Sequence, residues 1–423
     1  MAKKKVEKPR REVTKRQLSH WQQQKKRQRI IRGLGIFVVV VVSVIMGVGW
    51  YFAHYQPLHQ TVIEVNNTEF NMDYYIKMLK FYGEGQPIYY MDALADELVV
   101  VIERNELMRK GALGLGISVS DTEVDEKLKS YDPPLSKDYR DIARTELLVS
   151  KLLDRHFEQT VPLFAEQRHI MAMFLESESQ ATEIRARVQT DEDFAELAGE
   201  FSLESLSKDE KGDLGWHPED VLAELLATSI PGEDAFSSEV GVLSQPVFDE
   251  TRTRSLGYWL VKILDRQQEP EQVYIQAILL GSEKEAQDVR VRLETGEDFA
   301  TLARELSQHE ATKGSGGDFD WLSLEDVAPG SAFAAWVDIF ELETGVISEP
   351  IRDDTQAITG GYWLLKVLDK EDNKQISADD RSLLKANALN EWVLALWYDS
   401  GNEVNSYLTD EMREWAIARA TGG

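Results

Sequence analysis

The sequence predicts a multidomain α+β protein with one N-terminal transmembrane helix, a mainly helical module and two tandem α/β domains. Three observations support this fold class. An uncharged apolar stretch follows a basic N-terminus, helix-capping signals recur through residues 58–162, and a segment of about 105 residues occurs twice. Hydrophobic side chains make up 43% of the 423 residues, which is enough to build packed cores.

The first element is an apolar segment of transmembrane length. No formal charge occurs between Arg32 and Glu64, and Ser43 is the only polar side chain in residues 34–53. Twenty helical residues span about 30 Å, the thickness of the hydrocarbon core of a bilayer. We therefore expect an uncleaved signal anchor at residues 33–55. A cleaved signal peptide and a buried core helix are the alternatives.

The charges on the two sides of this segment are opposite. Residues 1–32 hold 13 Lys and Arg against two Glu, whereas the rest of the chain holds 34 basic and 72 acidic side chains. The positive-inside rule predicts a basic cytoplasmic tail at 1–32 and an extracytoplasmic location for residues 56–423, in a single-pass protein of the cell membrane. The tail is expected to contact anionic lipids or to serve as a docking arm. The acidic remainder argues against nucleic-acid binding.

The composition excludes several kinds of chemistry. The chain has no cysteine, so disulfides, thiolate catalysis, cysteine zinc sites and iron–sulfur clusters are excluded. It also lacks a P-loop, a dinucleotide-binding fingerprint, a Gly-x-Ser-x-Gly elbow and EF-hand spacing. His309 precedes Glu310 but lacks the second histidine of an HExxH zinc motif. We expect no cofactor and no metal.

Residues 58–162 carry the signals of a mainly helical module. A short strand precedes a helix capped by Asn71, and Ser120 opens a capping box with Glu123. Near the C-terminus, apolar side chains recur at helical spacing at positions 389, 392, 393, 396 and 397. This stripe within residues 376–423 predicts a helix that packs against a partner.

Four motifs recur at a spacing of 104–105 residues. They are TDEDFAELA at 190–198 and TGEDFATLA at 295–303, KGDLGW at 211–216 and GDFDW at 317–321, GVLSQPV at 241–247 and GVISEPI at 345–351, and GYWL at 257–260 and 361–364. A period of this size indicates duplication of a domain rather than a solenoid. Thr190 and Thr295, each with Asp three residues later, are predicted to cap a helix in each copy. We place the two domains at residues 164–268 and 271–372.

These motifs resemble the marks of parvulin-type (PpiC-like) peptidyl-prolyl cis-trans isomerases. The segment 168–171, Arg-His-Ile-Met, is similar to their opening strand, and the Phe-x-x-Leu-Ala helix, Gly-Asp-Leu-Gly turn, Gly-x-x-Ser-x-Pro-Val loop and closing Gly-Tyr strand follow in order. The flanking segments resemble those of SurA/PrsA-type foldases. The resemblance implies a SurA-N-like module at 58–162 completed by residues 376–423, and parvulin-like domains at 164–268 and 271–372.

The resemblance also implies site residues in the first repeat. Parvulins place two histidines and one Asp or Cys around an apolar pocket for the proline ring. His169 stands at the first histidine position, Glu204 at the Asp/Cys position, and Trp259 replaces the second histidine. Leu214 and Leu222 are expected to line the proline pocket. The alternatives are an ordinary strand histidine, a solvated carboxylate and a core tryptophan.

In the second repeat the resemblance implies a more altered site. Ala277 is aligned with the first histidine, His309 falls at the Asp/Cys position, and Trp363 replaces the second histidine. Phe319, in the Gly-Asp-Phe turn, is expected to contact substrate, as are Trp259 and Trp363. We therefore expect the first repeat to be more active than the second.

The function implied by the resemblance is that of a membrane-anchored, extracytoplasmic peptidyl-prolyl cis-trans isomerase and foldase. Its substrates would be unfolded or proline-containing exported polypeptides. Because several catalytic groups are replaced, the alternative is a catalytically degenerate holding chaperone or a peptide-binding scaffold that uses the same domains. A third hypothesis is an envelope protein that binds one partner through its acidic surface.

Overall fold

A computed structural model describes residue 37 and residues 39–268 and 271–422. The described chain forms two compact units. We call Met1–Glu158 with Leu389–Gly423 the helical unit, and Gln159–Ala388 the sheet unit. The predicted cytoplasmic tail and the first residues of the predicted anchor lie outside the described residues.

The described chain begins with an apolar helix. Val39–His59 has a mean hydropathy of 1.4 and no buried residue, so its length and composition suit a membrane-crossing helix. The helix includes a π-helical stretch at Tyr51–Tyr55. At its end, Leu58 packs against the core of the helical unit, and the first strand of that unit begins at Thr61. Gln60 is therefore the one residue between the end of the apolar helix and this strand.

The elements of the helical unit come from both ends of the chain. From the N-terminal side they are β1 (Thr61–Val65), β2 (Thr68–Asn71), α1 (Met72–Tyr82), α2 (Met91–Gly114), α3 (Asp121–Ser130) and α4 (Arg140–Leu152). Asn71 caps α1 by accepting a bond from the backbone N–H of Tyr74. The predicted capping box at Ser120 and Glu123 is confirmed.

The sheet unit follows in the chain. Its elements are β3 (Phe164–Leu175), α5 (Glu178–Gln189), α6 (Phe194–Phe201), α7 (Ser205–Asp209), β4 (Asp213–His217), α8 (Glu219–Leu226), α9 (Ile230–Ser237), β5 (Val247–Gln268), β6 (Glu271–Leu280), α10 (Glu283–Glu294), α11 (Phe299–Leu306), α12 (Glu310–Lys313), β7 (Asp318–Ser323), a 3-10 helix (Ala334–Glu341) and β8 (Ile351–Gln375). The chain ends with α13 (Ala378–Tyr398), β9 (Val404–Ser406) and α14 (Asp410–Ala420).

The C-terminal segment completes the helical unit. β1 pairs antiparallel with both β2 and β9, so the small sheet combines the two ends of the chain. Ala416 of α14 is fully buried in the same cluster as Tyr75 and Leu79 of α1 and Leu98 of α2. This confirms the predicted helical module completed by a C-terminal helix, because the apolar stripe of a helix is stabilised only when it is buried.

The two repeats share one antiparallel sheet. Its strand order is β4-β3-β8-β5-β6-β7. β3 of the first repeat pairs with the C-terminal half of β8, with Ile170 opposite Val367. β6 of the second repeat pairs with the C-terminal half of β5, with Val261 opposite Ala277. The closing strand of each repeat has therefore been exchanged for that of the other.

The exchange depends on two long strands that cross near their middles. β5 has 22 residues and β8 has 25. Their pairing is symmetric about Arg254 and Ile358, which lie opposite each other. We call residues 164–249 with 361–375 the first lobe and residues 257–353 the second lobe. The boundaries 164–268 and 271–372 stay a prediction about the sequence repeats, and each lobe combines strands from both.

The helix caps in the repeats differ from the prediction. Asp193, not Thr190, caps α6, because its side chain accepts a bond of 2.9 Å from the N–H of Ala195. Thr190 instead follows the C-terminus of α5, and its hydroxyl donates to the carbonyl of Arg187. Asp298 caps α11 in the same way in the second repeat. The prediction that the threonines cap these helices is wrong.

Candidate functional site

Hydrogen bonds at matching positions show how the two repeats superpose. The N–H of Ala172 donates to the carbonyl of Gly212 at 2.9 Å, and that of Ala277 donates to Gly317 at 2.8 Å. Ala277 therefore matches Ala172, so the prediction that it replaces His169 is wrong. The sequence spacing of 105 holds across the first strand as well, and it places Tyr274 at the position of His169.

The first lobe places an imidazole beside a carboxylate. Nε2 of His169 lies 2.7 Å from Oδ1 of Asp213, and since a carboxylate only accepts, Nε2–H donates this bond. The same oxygen accepts from the N–H of Gly215 at 3.0 Å. The His169 side chain is 25% exposed. Its ring lies 5.8 Å from that of Trp216. Asp213 therefore fixes the imidazole orientation and leaves Nδ1 for another partner.

The second lobe repeats this arrangement with a phenol. The hydroxyl of Tyr274 donates to Oδ2 of Asp318 at 2.7 Å, and the Tyr274 ring lies 5.6 Å from that of Trp321. The hydrogen bond to Asp318 raises the pKa of Tyr274 above its ordinary value. Asp318 also accepts from the N–H of Asp320 at 3.0 Å, as Asp213 does from Gly215. The phenol is thus a fixed, neutral donor where the first lobe has an imidazole.

Motif matching alone missed the carboxylates and the tryptophan rings beside them. Asp213 and Asp318, and likewise Trp216 and Trp321, are separated by 105 residues. The signal that could have identified them was the recurrence of Gly-Asp with a tryptophan three residues after the Asp in both repeats.

Glu204 has a different setting from His169. It caps α7, where its two carboxylate oxygens accept from the N–H groups of Leu206 at 3.0 Å and Ser207 at 2.6 Å. A guanidinium nitrogen of Arg252 lies 3.9 Å away. Among the contacts of the described residues, none joins Glu204 to His169. Its carboxylate is 7% exposed and already satisfied, so its catalytic assignment stays a prediction.

Trp259 and Trp363 are fully buried and tie the two repeats together. The indole N–H of Trp363 donates to Asp249 at 3.0 Å, and that of Trp259 donates to Asp353 at 3.1 Å. Each bond joins one repeat to the other. Burial alone would raise the pKa of Asp249, but the bonds from Thr251 and Trp363 together lower it, so the carboxylate is held ionised.

Because the closing strands are exchanged, the predicted pocket residues of one repeat pack against the tryptophan of the other. Leu214 and Leu222 pack in one buried cluster with Trp363 of the second repeat. Phe319 packs in another cluster with Trp259 of the first repeat. Leu214 is 7% exposed, whereas Leu222, Trp259 and Trp363 have no exposed surface. Direct contact of these three buried side chains with a substrate would therefore require the lobes to open.

The second lobe has an accessible aromatic cleft. It has a volume of about 670 Å³, and His309, Phe319 and Phe333 are among its lining residues. The His309 ring stacks on that of Phe319, with 4.9 Å between centroids and 19° between planes. Nδ1 of His309 lies 2.8 Å from the hydroxyl of Thr312. Burial lowers the pKa of His309 below its ordinary value, so the ring is neutral at neutral pH.

The described residues do not contain a cluster of three or more His, Cys, Asp or Glu side chains arranged to hold a metal ion.

Comparison with known proteins shows what the two sequence repeats are similar to. Residues 169–265 and 280–369 match the rotamase model described as a PPIC-type PPIASE domain. The foldase protein PrsA of Geobacillus sp. (strain WCH70) is 36% identical over 98 residues, which cover 23% of this chain and 32% of that protein. The chaperone SurA of Nitrosospira multiformis is 24% identical over 376 residues, which cover 72% of this chain and 80% of that protein.

A solved structure of the peptidylprolyl isomerase PrsA from Bacillus anthracis aligns with 76% of this chain and 94% of its own, at 13% identity and a TM-score of 0.28. The chain spans about a third of the length of the PrsA foldases it matches. Residues 169–265 and 280–369 are therefore similar to PPIC-type peptidyl-prolyl isomerase domains, in a chain similar to the PrsA foldases and SurA chaperones.

Proposed function

We propose that this chain is a membrane-anchored, extracytoplasmic peptidyl-prolyl cis-trans isomerase that assists the folding of exported proteins. The observation that carries the proposal is the His169–Asp213 pair, which combines a fixed imidazole with partial exposure in a family-matched segment. The aromatic cleft beside His309 in the second lobe supports it. The apolar helix Val39–His59 supports the anchored location.

The first lobe is proposed to carry catalysis. Rotation about an Xaa–Pro bond crosses a barrier of about 18–20 kcal/mol, because the amide loses its resonance in the twisted state. The twisted amide nitrogen becomes a hydrogen-bond acceptor, and a donor placed beside it lowers the barrier by about 1.4 kcal/mol for each tenfold gain in rate. Because Nε2–H donates to Asp213, Nδ1 is the ring nitrogen of His169 that we propose meets the twisted amide, and it is such a donor when it carries a proton.

The second lobe is proposed to hold the client rather than to isomerise it. Phe319 and Phe333 offer apolar ring faces of the kind on which a proline or aromatic side chain packs. His309 is neutral, and among the described residues its Nε2 has no partner, so this nitrogen is available for a peptide group. Tyr274 occupies the position of His169 but is already committed to Asp318.

The alternative function is that of a holding chaperone or peptide-binding scaffold without isomerase activity. It is favoured by the burial of Trp259 and Trp363 where parvulins have the second histidine, and by the capping role of Glu204. A client groove needs adaptable apolar surface rather than catalytic groups. The acidic surface would attract basic clients in either case.

The test uses the full chain purified in detergent and measures cis-trans exchange of an Xaa–Pro peptide by NMR. The wild-type chain should accelerate exchange, and His169→Ala should lower the acceleration by at least about tenfold, because it removes one hydrogen bond from the transition state. His309→Ala should weaken peptide binding and change the turnover rate by less than about twofold. His59→Ala, at the end of the apolar helix, is the matched control.

Three results would contradict the proposal. Acceleration that is unaffected by His169→Ala would remove His169 from catalysis. No acceleration by the wild-type chain, combined with suppression of aggregation of an unfolded client, would establish the holding chaperone instead. A chain that binds no peptide but captures one envelope partner in stoichiometric amount would identify a scaffold.

A further inference from the structure

The segment of β5 at the crossing lacks the residues of a hairpin turn. If the first repeat closed on itself, residues 250–256 would have to turn and return the chain along residues 247–249. This segment reads ETRTRSL and contains no Gly, Pro or Asn, whereas Thr251 and Thr253 are β-branched and favour extended backbone. In the structure it is part of a continuous strand. In the first repeat, local backbone preference therefore favours a continuous strand over a hairpin turn.

Arg254 lies at the centre of the crossing and is 6% exposed. Its guanidinium donates four hydrogen bonds, all to backbone carbonyls. Nε donates to Gly360 at 3.0 Å, Nη1 to Leu256 at 2.6 Å, and Nη2 to Glu176 at 3.1 Å and Gly281 at 2.7 Å. These acceptors lie on β5 itself, on β8, and just beyond the ends of β3 and β6.

The carbonyls of Glu176 and Gly281 distinguish the exchanged sheet from one in which each repeat closes on itself. Each follows the opening strand of its own repeat, β3 or β6. In the exchanged sheet the two strand ends flank the crossing, and one guanidinium nitrogen reaches both carbonyls. If each repeat closed on itself, β3 and β6 would belong to separate sheets, so one side chain would not bond both.

The buried charge makes this contact selective. Burial lowers the pKa of Arg254 below its usual value, and the nearby carboxylate of Glu176 opposes that shift. A buried cation is strongly disfavoured unless hydrogen-bond acceptors surround it. The site is also close-packed, because a Cβ added at Gly281 would lie 3.3 Å from Nη2 of Arg254. An arrangement that removed two of the four acceptors would leave the guanidinium buried and only partly satisfied.

The four hydrogen bonds of Arg254 have no counterpart in the second repeat. The matching residue of the second repeat is Ile358, which is fully buried and lies opposite Arg254 across the two strands. We propose that Arg254 selects the exchanged pairing of the two repeats and thereby positions the tryptophan that completes each lobe, Trp363 in the first and Trp259 in the second. The proposal rests on the proposed function only in treating the two lobes as substrate sites.

Because the chain has no native cysteine, engineered disulfides in the full chain can report which closing strand pairs with which opening strand. Met171 lies opposite Lys366, and Gln276 lies opposite Lys262, in half-buried positions of the exchanged sheet. Neighbours in an antiparallel sheet are about 4.5–5.5 Å apart at Cα, within reach of a disulfide. Met171→Cys with Lys366→Cys therefore reports the exchanged form. Met171→Cys with Lys262→Cys reports the self-closed form, because Lys262 precedes Lys366 by one repeat.

The expected result has two parts. With Arg254 present, mild oxidation of the full chain in detergent should close the 171–366 pair at least about tenfold more completely than the 171–262 pair. Arg254→Ile, which copies the second repeat, should lower that ratio by at least about tenfold. Arg252→Ile is the matched control, since Arg252 lies two residues away and bonds none of the four carbonyls, and it should leave the ratio unchanged.

A second, more conservative variant keeps the proposal testable if Arg254→Ile does not fold. Arg254→Lys keeps the charge but has only three N–H donors on one nitrogen, so it cannot bond all four carbonyls, and it should shift the ratio in the same direction by a smaller factor. Preferential closure of the 171–262 pair in the unsubstituted background, or a ratio unaffected by both Arg254 variants, would overturn the proposal. Neither readout depends on isomerase activity, so failure here is distinguishable from failure of the proposed function.

Discussion

Glu103 and Glu106 allow a sharp test of how burial and pairing determine stability in the helical unit. Both side chains lie on α2 and both are 5% exposed. Glu106 accepts two bonds of 2.6 Å from Arg109 and one of 2.7 Å from Thr68. Within the part of the chain that the structure describes, Glu103 has no ion-pair or hydrogen-bond partner, and burial raises its pKa from 4.5 to about 7.

The perturbation is Glu103→Gln, which keeps the shape and removes the titration. Because the pKa of Glu103 is higher in the folded chain than in the unfolded chain, the folded state is favoured below pH about 4.5, and this advantage is lost as the pH rises through about 7. A shift from 4.5 to about 7 corresponds to at most about 3 kcal/mol. The variant should match the wild type at pH 4 and be more stable by about 2–3 kcal/mol at pH 8.

Hydrogen exchange of α2 is the suitable assay, because it reports the free energy of opening of this helix in the full chain. The opening free energy of the wild type should fall with a slope of up to about 1.4 kcal/mol per pH unit between pH 5 and 7. Glu106→Gln is the matched control and should destabilise by about 1–2 kcal/mol at both ends of this range, since it breaks the pair with Arg109. A gain from Glu103→Gln that is the same at pH 5 and pH 8 would refute the reasoning.

Two further predictions concern the backbone and the helix caps. Gly317→Ala should destabilise the second lobe by more than about 2 kcal/mol in denaturant unfolding, because its φ is +81° and a Cβ would lie 2.5 Å from the carbonyl of Ala277, whereas Gly296→Ala meets no atom within 4 Å and should cost about 1 kcal/mol. Equal losses at the two glycines would contradict this explanation. Ser120→Ala should cost about 1 kcal/mol in the opening of α3, measured by hydrogen exchange, because it removes a capping box, and an unchanged exchange rate would show that the cap is energetically silent.

Local signals predicted the elements of this fold well, because their causes lie within a few residues. Asn71 and Ser120 were predicted as caps, and each makes the expected bond to a backbone N–H two or three residues along its helix. The misassigned caps at Thr190 and Thr295 have the same kind of cause, since Asp193 and Asp298 lie closer to the free N–H groups of the next helix.

The candidate site was predicted less completely, because a family motif does not specify register after strong divergence. Aligning Ala277 with His169 followed the similarity of two short apolar strands. The constant spacing of 105 residues was the more physical guide, since the repeated bond from Ala172 to Gly212 and from Ala277 to Gly317 requires the same register in both copies. That register pairs Tyr274 with His169 and explains why each has an aspartate partner.

The strand exchange could not be predicted from the repeats, because self-closed and exchanged sheets use nearly the same contacts. Asp249 can accept an indole N–H from Trp259 of its own repeat as well as from Trp363, and the apolar faces of the two closing strands are almost interchangeable. Any preference must therefore come from residues that the duplication did not preserve.

At the crossing such a pair is Arg254 and Ile358. The guanidinium of Arg254 lies between the strands, and in the exchanged sheet the carbonyls of Glu176 and Gly281 both accept bonds from it. Under our proposal, divergence at this position therefore favours the exchanged pairing over the self-closed one.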